Sequence, residues 1–170
     1  LASEYGECTV INYVPPYMEY RSRYKYIPKR WSNSFVKRFA WRLYYHPQVA
    51  CLHRRKKKFD KFLDQYIPRT KRYTSYLELV KNPPIADAYI CGSDQIWNGI
   101  DYINGKDDAF FLTFAPKEKK KISYGASFGR DYVEEWFIKD KSKKLSDFTA
   151  LSVREKCGVY ILNSLSLHGV

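Results

Sequence analysis

Apolar residues follow two spacings along the chain, and each spacing predicts one kind of secondary structure. Short runs rich in β-branched and aromatic residues predict strands. Apolar positions that repeat with helical spacing predict helices. The strands are expected over residues 8–14, 88–91, 110–114, 121–126 and 148–153. The helices are expected over residues 34–45, 49–66, 74–79, 131–139 and 157–165.

Two prolines set the expected ends of the first two helices. Pro47 follows His46, and Pro68 follows Ile67. The residue before a proline avoids helical backbone angles, because it would clash with the proline ring. We therefore predict a break at His46-Pro47 between two separate helices, and an end to the second helix at Ile67.

Strands alternate with helices from about position 86 onward. Such alternation is typical of an α/β domain with a mostly parallel sheet. Parallel strands are usually covered on both faces. Ile90, Ile122 and Leu151 are therefore expected to be buried between two layers.

The strand at Tyr89 ends in Gly92-Ser93-Asp94, a small and acidic turn that a strand does not require. In open α/β sheets, ligands bind beyond the carboxyl ends of strands. Gly92 would let a ligand approach the backbone, Ser93 can donate a hydrogen bond, and Asp94 can accept from a hydroxyl or act as a base. The alternative is an Asx turn in which Asp94 only bonds the backbone of Ile96.

A second strand end carries the small residues Gly125-Ala126-Ser127-Phe128-Gly129. They leave room for a ligand, and Ser127 is a candidate polar contact there. Close packing of a helix against the sheet explains the same residues equally well, so both interpretations stay open.

The third strand end combines a helix start with a cation. Ser152 and Glu155 have the spacing of a capping box, which predicts that a helix begins here. Arg154 would lie in the first turn, where a positive charge is unfavourable beside the helix dipole. An anionic ligand at the free N–H groups would relieve that conflict. Alternatively, Arg154 points away and pairs with Asp131 or Asp147.

Charge narrows the classes of partner. The 170 residues include 30 Lys and Arg against 18 Asp and Glu, a net charge of +12. This balance favours nucleic acid, an anionic lipid surface or phosphorylated small molecules. Each basic run is also explained as a solvated helix face or turn. The runs lie at residues 21–30, 53–58, 117–121 and 139–144.

Two non-enzymatic alternatives follow from these runs. A nucleic-acid-binding module would use residues 21–30 and 54–58 with interleaved tyrosines. The basic residues fall on separate elements, however, and no known motif is present, so no specific nucleic acid is expected. Peripheral attachment to an anionic membrane would use the helix over residues 52–66, and it is compatible with an enzyme.

The four cysteines show no Cys-x-x-Cys spacing and do not complete a zinc pattern with the three histidines. Cys91 and Cys157 lie in apolar segments, which is typical of small buried residues. No metal is implied, since no carboxylate cluster is visible either. Cysteine usage of this kind predicts a reducing compartment, the cytoplasm. No apolar run approaches the roughly 20 residues that cross a bilayer.

Several segments taken together resemble the polysaccharide pyruvyl transferase family. The sequences are YICGSDQIWN at 89–98, FFLTFAPKEKKKISYGASFG at 110–129 and FTALSVREKCGVYIL at 148–162. The segments VINYVPP at 10–16 and KKKFDKFL at 56–63 also look like bacterial members. The resemblance covers nearly the whole chain, and the combination is specific where a single motif would not be.

The resemblance implies a Rossmann-like fold, similar to the N-terminal domain of GT-B glycosyltransferases. Family members transfer the enolpyruvyl unit of phosphoenolpyruvate to a sugar, forming a pyruvate ketal on a cell-surface polysaccharide or its lipid-linked precursor. Phosphoenolpyruvate would be the donor, a sugar or lipid-linked glycan the acceptor, and no cofactor is implied. Asp94 would then be the catalytic residue, and the substrate-binding residues would be Gly92, Ser93, Ser127 and Arg154.

The chain is short for this family. Residues 1–170 are expected to form a single incomplete α/β domain, truncated at both ends and without the second domain. A basic helical insertion would occupy about residues 31–80 and the sheet core about residues 86–170. His46, His53 and His168 do not match the histidine-containing half of the family's donor site. We therefore expect the chain to be inactive alone. Its expected location is the cytoplasm, including the inner face of the membrane.

Overall fold

Three short apolar segments pair as an all-parallel sheet in the order β1-β2-β3. The strands are β1 (Ala88–Gly92), β2 (Lys120–Ala126) and β3 (Ala150–Val153). This computed structural model describes residues 2–18, 33–99 and 106–169. The chain divides into two compact units, residues 1–75 and 76–170, and the sheet belongs to the second. The predicted α/β class with a parallel, Rossmann-like sheet is confirmed.

Helices fill most of the remaining described residues. The α-helices are α1 (Phe35–Tyr66), α2 (Tyr76–Lys81), α3 (Glu135–Ser146) and α4 (Lys156–Ser164). Single turns of 3-10 helix span Ala2–Glu4, Pro16–Met18 and Asp108–Phe111. The run at residues 21–30 and part of the loop after Asn98 lie outside the described residues.

A buried aromatic cluster holds the second unit together. Trp97 has no exposed surface and contacts the rings of Phe111, Phe128 and Phe148 at centroid distances of 6.0, 5.3 and 5.9 Å. Its indole N–H donates to the carbonyl of Phe110 at 3.2 Å, so the polar atom is satisfied inside the core. Trp97 therefore fixes the loop that follows β1, which explains a tryptophan so close to the Gly92-Ser93-Asp94 turn.

An ion-pair cluster joins α3 to the 3-10 turn at Asp108. Lys141 is 1% exposed and donates to Asp108 Oδ1 at 2.6 Å, while Lys144 donates to the same oxygen at 2.8 Å. Asp140 also pairs with both lysines. Burial opposes ionisation of Asp108, but the hydrogen bonds and attraction of the two lysines together hold its pKa below the usual value. Burial likewise opposes the charge of Lys144, yet its hydrogen bonds to Asp108 and Asp140 raise its pKa to about 12.

The predicted helix break at His46-Pro47 is wrong, because α1 continues through these residues to Tyr66. A proline inside a helix removes one hydrogen bond and costs about 3 kcal/mol. The helical turns on both sides override this local preference. The predicted end at Ile67 is confirmed, since Ile67 is the extended C-terminal cap.

Two predicted strands are not formed. Residues 8–14 make only isolated parallel bridges, Val10 with Arg69 and Tyr13 with Tyr73. Residues 110–114 do not form a strand, because Phe110 and Phe111 belong to the 3-10 turn Asp108–Phe111. Asp107 caps that turn by accepting a hydrogen bond from the Ala109 N–H at 3.0 Å. Side-chain capping overrides the β propensity of the apolar run.

The predicted burial is confirmed for Leu151, is wrong for Ile90 and is met only in part by Ile122, which is half-buried. Leu151 is 6% exposed in a core that includes residues of α3 and α4, whereas Ile90 is 52% exposed. Successive strand residues point to opposite faces. Tyr89 accordingly is buried and Ile90 is not, so burial alternates along β1.

Candidate ligand site at the carboxyl ends of the strands

The three sequence-predicted segments meet at one edge of the sheet. The strands are parallel and adjacent, so their carboxyl ends lie side by side. The Ser93 N–H donates to the Tyr124 carbonyl at 2.9 Å, which joins the ends of β1 and β2. The Arg154 N–H donates to the Ala126 carbonyl at 3.0 Å, which joins the ends of β2 and β3.

Gly92 and Ser93 make the turn after β1 with unusual backbone angles. Gly92 has φ of 141°, and a Cβ placed there would lie 2.2 Å from the Tyr124 carbonyl oxygen. The neighbouring strand, and not a ligand, therefore accounts for the glycine. Ser93 has φ of 62°, a left-handed conformation that non-glycine residues adopt infrequently. Strained backbone of this kind clusters at functional sites.

Asp94 is exposed at the edge, and its carboxylate keeps an open oxygen. Oδ1 accepts from the Gln95 N–H at 2.7 Å, while the Ile96 N–H bonds the Asp94 backbone carbonyl. The expected Asx bond from the Asp94 side chain to Ile96 is therefore replaced by one to Gln95. In the described part of the chain no hydrogen bond to Oδ2 is present, so that oxygen faces solvent and can accept from a hydroxyl.

Ser127 lies beneath the edge and not on it. Its side chain has no exposed surface, and its hydroxyl donates to Glu155 Oε1 at 2.8 Å and accepts from the Gly129 N–H at 2.9 Å. Its backbone N–H also donates to the Asp94 carbonyl at 3.1 Å. Ser127 thus touches all three strand ends, a geometry that suits a positioning residue better than a direct ligand contact.

Arg154 is half-exposed and directed along the edge by its neighbour. Its Nε donates to Glu155 Oε1 at 2.8 Å, which replaces the partners expected from the sequence, Asp131 and Asp147. Among the described residues no hydrogen bond to the remaining guanidinium N–H groups is present, and these groups can bind a carboxylate or phosphate. The same Glu155 oxygen receives both Ser127 and Arg154, so one carboxylate positions the basic group of the candidate site.

The predicted capping box is wrong. Ser152 belongs to β3, and its N–H donates to the Ser123 hydroxyl at 2.9 Å. Helix α4 begins at Lys156 with Glu155 as a cap that makes no side-chain hydrogen bond. The reason is that β3 continues to pair with β2 as far as Val153, which lies opposite Ala126, so Ser152 stays within the strand. Arg154 consequently precedes the helix and does not lie in its first turn.

Sequence reasoning missed a buried arginine four residues beyond β2. Arg130 is 7% exposed, donates through one Nη to Glu134 and lies 4.7 Å from the Tyr132 ring centroid. Within the described residues its other nitrogens and Glu134 Oε2 are buried without hydrogen bonds. A cation directly after a strand-end glycine was the available signal.

The described residues contain no group of three or more His, Cys, Asp and Glu side chains placed to hold a metal ion. The four cysteines are free. Burial raises the pKa of the Cys91 thiol to about 12, which favours the neutral thiol.

Comparison with known protein families identifies one family that matches the chain. The polysaccharide pyruvyl transferase family model matches residues 1–167. The chain belongs to the polysaccharide pyruvyl transferase family. No curated protein and no solved structure matches the chain significantly. No described helix has the length and apolar character needed to cross a membrane.

Proposed function

We propose that this protein takes part in transferring the pyruvyl unit of phosphoenolpyruvate to a sugar of a cell-surface polysaccharide or its lipid-linked precursor. The family match over residues 1–167 carries the proposal. The strand edge supports it, because a carboxylate at Asp94 and a guanidinium at Arg154 occur on the loops after β1 and β3, which both bond to the end of β2. No cofactor is required for the proposed reaction.

The reaction forms two C–O bonds at C2 of the donor and breaks one. Two hydroxyls of one sugar add to C2 in turn, and the bond from C2 to the phosphate oxygen breaks. One of the two hydroxyl protons is matched by a proton added to the C3 methylene, which becomes a methyl group. The second hydroxyl proton leaves with the phosphate. The products are a pyruvate ketal and inorganic phosphate, so the enzyme needs an anion site and proton-transfer groups.

Each edge residue is suited to one part of this task. Arg154 binds the carboxylate or phosphate of the donor, because a planar guanidinium matches both groups. Asp94 accepts a proton from an attacking sugar hydroxyl through its open oxygen. Ser93 and the backbone at Gly92 contact the substrate at the exposed turn. Ser127 acts through Glu155, which it positions together with Arg154.

We place the reaction in the cytoplasm, at the inner face of the membrane when the acceptor is lipid-linked. The free cysteines support a reducing compartment.

The test is to incubate the purified protein with phosphoenolpyruvate and a panel of methyl glycosides. Phosphate release is followed together with the ketal methyl signal by NMR. If residues 1–170 suffice for catalysis, phosphate release depends on both substrates and one ketal forms for each phosphate. If the chain is inactive alone, as expected from its sequence, it binds phosphoenolpyruvate without releasing phosphate. Phospholactate is the matched control, since it lacks the double bond and should compete for the site without releasing phosphate.

Two results would contradict the proposal. Phosphate release without a sugar would indicate a phosphatase. If calorimetry detects binding of neither phosphoenolpyruvate nor phospholactate, the strand edge is not a donor site.

A further inference from the structure

The solvent side of α1 presents apolar side chains over its first turns. Phe35, Val36, Phe39 and Leu43 are 76%, 72%, 58% and 60% exposed. Residues four apart lie on one face of a helix. Phe35, Phe39 and Leu43 therefore form one line, with Val36 beside it. Surface helices normally direct such a stripe toward the core, so this outward stripe needs a partner.

The same side of α1 becomes basic farther along. Leu43 and Arg54 are eleven residues apart, about three helical turns, so the basic side chains continue the apolar line. These basic side chains are Arg54, Lys57, Lys58 and Lys61, and all four are exposed. Within the described residues, no salt bridge joins any of them to an acidic side chain. Over its whole length α1 carries nine Lys and Arg against two Asp.

We propose that this outward face of α1 docks on an anionic lipid bilayer. The outward face is defined by Phe35, Val36, Phe39, Leu43, Arg54, Lys57, Lys58 and Lys61. The apolar line would enter the boundary between headgroups and acyl chains, and the basic line would lie over anionic headgroups. The inference rests on the proposed function and extends it. It names the surface that would bring the enzyme to a lipid-linked acceptor.

Charge and side-chain type favour a bilayer over other partners. A nucleic acid would use the cations, but it offers nothing to aliphatic side chains such as Val36 and Leu43. A second copy of this chain would bring two helices of the same strong positive charge together. An anionic bilayer satisfies both halves of the outward face, since it combines negative charge with an apolar layer.

The test is flotation of the full chain with vesicles of phosphatidylcholine, alone or mixed with phosphatidylglycerol. No donor or acceptor is added, so the result is independent of pyruvyl transfer. We expect flotation with the mixed vesicles and little with the neutral ones. Replacing four cations by Gln should lower partitioning by about 100-fold or more, because each basic residue near an anionic surface contributes roughly a fivefold gain and the four gains multiply. The substitutions are Arg54→Gln, Lys57→Gln, Lys58→Gln and Lys61→Gln.

A matched control removes the same charge from exposed lysines of the second unit, and it should partition like the parent protein. Its substitutions are Lys117→Gln, Lys120→Gln, Lys143→Gln and Lys156→Gln. The apolar variant Phe35→Ser, Phe39→Ser, Leu43→Ser should weaken binding at high salt, where charge is screened. Its control is the set of exposed residues Leu77→Ser, Val80→Ser and Ile85→Ser.

Several outcomes would overturn the inference. One is no flotation with mixed vesicles, and another is equal loss in the charge variant and its control. Tight binding to duplex DNA that only the outward-face variants abolish would assign the face to nucleic acid. A dimer on gel filtration that the apolar variant dissociates would assign it to a second copy. If a multiple variant fails to fold by circular dichroism, the single changes Lys57→Gln and Lys61→Gln decide the same question.

Discussion

The Ser127 hydroxyl donates a 2.8 Å hydrogen bond to Glu155 Oε1, and this contact joins the ends of β2 and β3 across 28 residues of sequence. The same oxygen of Glu155 accepts from Arg154 Nε at 2.8 Å. A buried serine therefore reaches an exposed arginine through one shared carboxylate. The position of Arg154, the candidate anion ligand, therefore depends on the hydrogen bond between Ser127 and Glu155, neither of which is proposed to bind the anion.

Ser127→Ala should destabilise the protein by about 1–3 kcal/mol, because the Gly129 N–H loses its buried acceptor and Glu155 loses a donor. Urea unfolding measures the change. Ser142→Ala is the control, since that exposed hydroxyl only bonds the Ile138 carbonyl within α3, and its effect should stay under about 0.5 kcal/mol. Equal effects of the two changes would show that the strand-end contact is not stabilising.

Arg154→Ala should weaken phosphoenolpyruvate binding by about 1.5–3 kcal/mol, the range for hydrogen bonds to charged groups. Calorimetry measures the donor affinity, and thermal unfolding should change little because the side chain is half-exposed. Arg154→Lys should fall between, since lysine keeps the charge but not the planar pair of donors. Unchanged donor affinity with a large loss of stability would make Arg154 structural.

Asp94→Asn should lower turnover by about 100-fold or more, the contribution of a general base, while leaving the melting temperature nearly unchanged. Asparagine keeps an oxygen that can accept from the Gln95 N–H, so the turn is preserved and only the basic oxygen is lost. Asp87→Asn, at an exposed carboxylate of the same unit, is the control. If Asp94→Asn keeps the turnover of the parent protein, Asp94 has no catalytic role and the turn only connects β1 to the next element.

Gly92→Ala should destabilise the protein by about 2–3 kcal/mol, because a Cβ there overlaps the Tyr124 carbonyl and the backbone angle disfavours any side chain. Denaturant unfolding gives the value. Gly6→Ala is the matched change, since a Cβ at Gly6 meets no atom within 4 Å. A Gly92→Ala protein as stable as Gly6→Ala would mean that the turn relaxes, which would free Gly92 for a role in binding.

Local signals account for the parts of the fold that were predicted correctly. The apolar run from Ala88 and the small residues after it identify β1 and its turn without knowledge of any partner. The end of α1 at Ile67 likewise follows from a neighbouring proline. Such features depend on contacts within a few residues, which a sequence displays directly.

The site could be predicted only as separate pieces. Gly92-Ser93-Asp94, Ser127 and Arg154 were identified as strand-end residues, and the parallel sheet brings their segments to one edge. The residue spacing predicts a capping box at Ser152 and Glu155, and this prediction fails because pairing with β2 continues through Ser152 to Val153. Strand register is a tertiary property that residue spacing does not encode.

Asp108→Asn should destabilise the protein by about 2–3 kcal/mol near neutral pH, because Lys141 is buried and would keep only part of its hydrogen bonding. The folded pKa of Asp108 lies below its unfolded value. Its contribution is therefore present above about pH 4 and is lost as the pH falls through the folded value. Stability of the parent protein and of Asp108→Asn, measured by urea unfolding across this range, should converge under acid.

Asp87→Asn is the control for this prediction. It removes an exposed ion pair with Lys119 and should change stability by less than about 1 kcal/mol. The free energy of unfolding of the parent protein and that of Asp108→Asn could instead differ by the same amount from neutral pH to well below about pH 4. In that case the charge of Asp108 does not stabilise the contact between α3 and the 3-10 turn at Asp108.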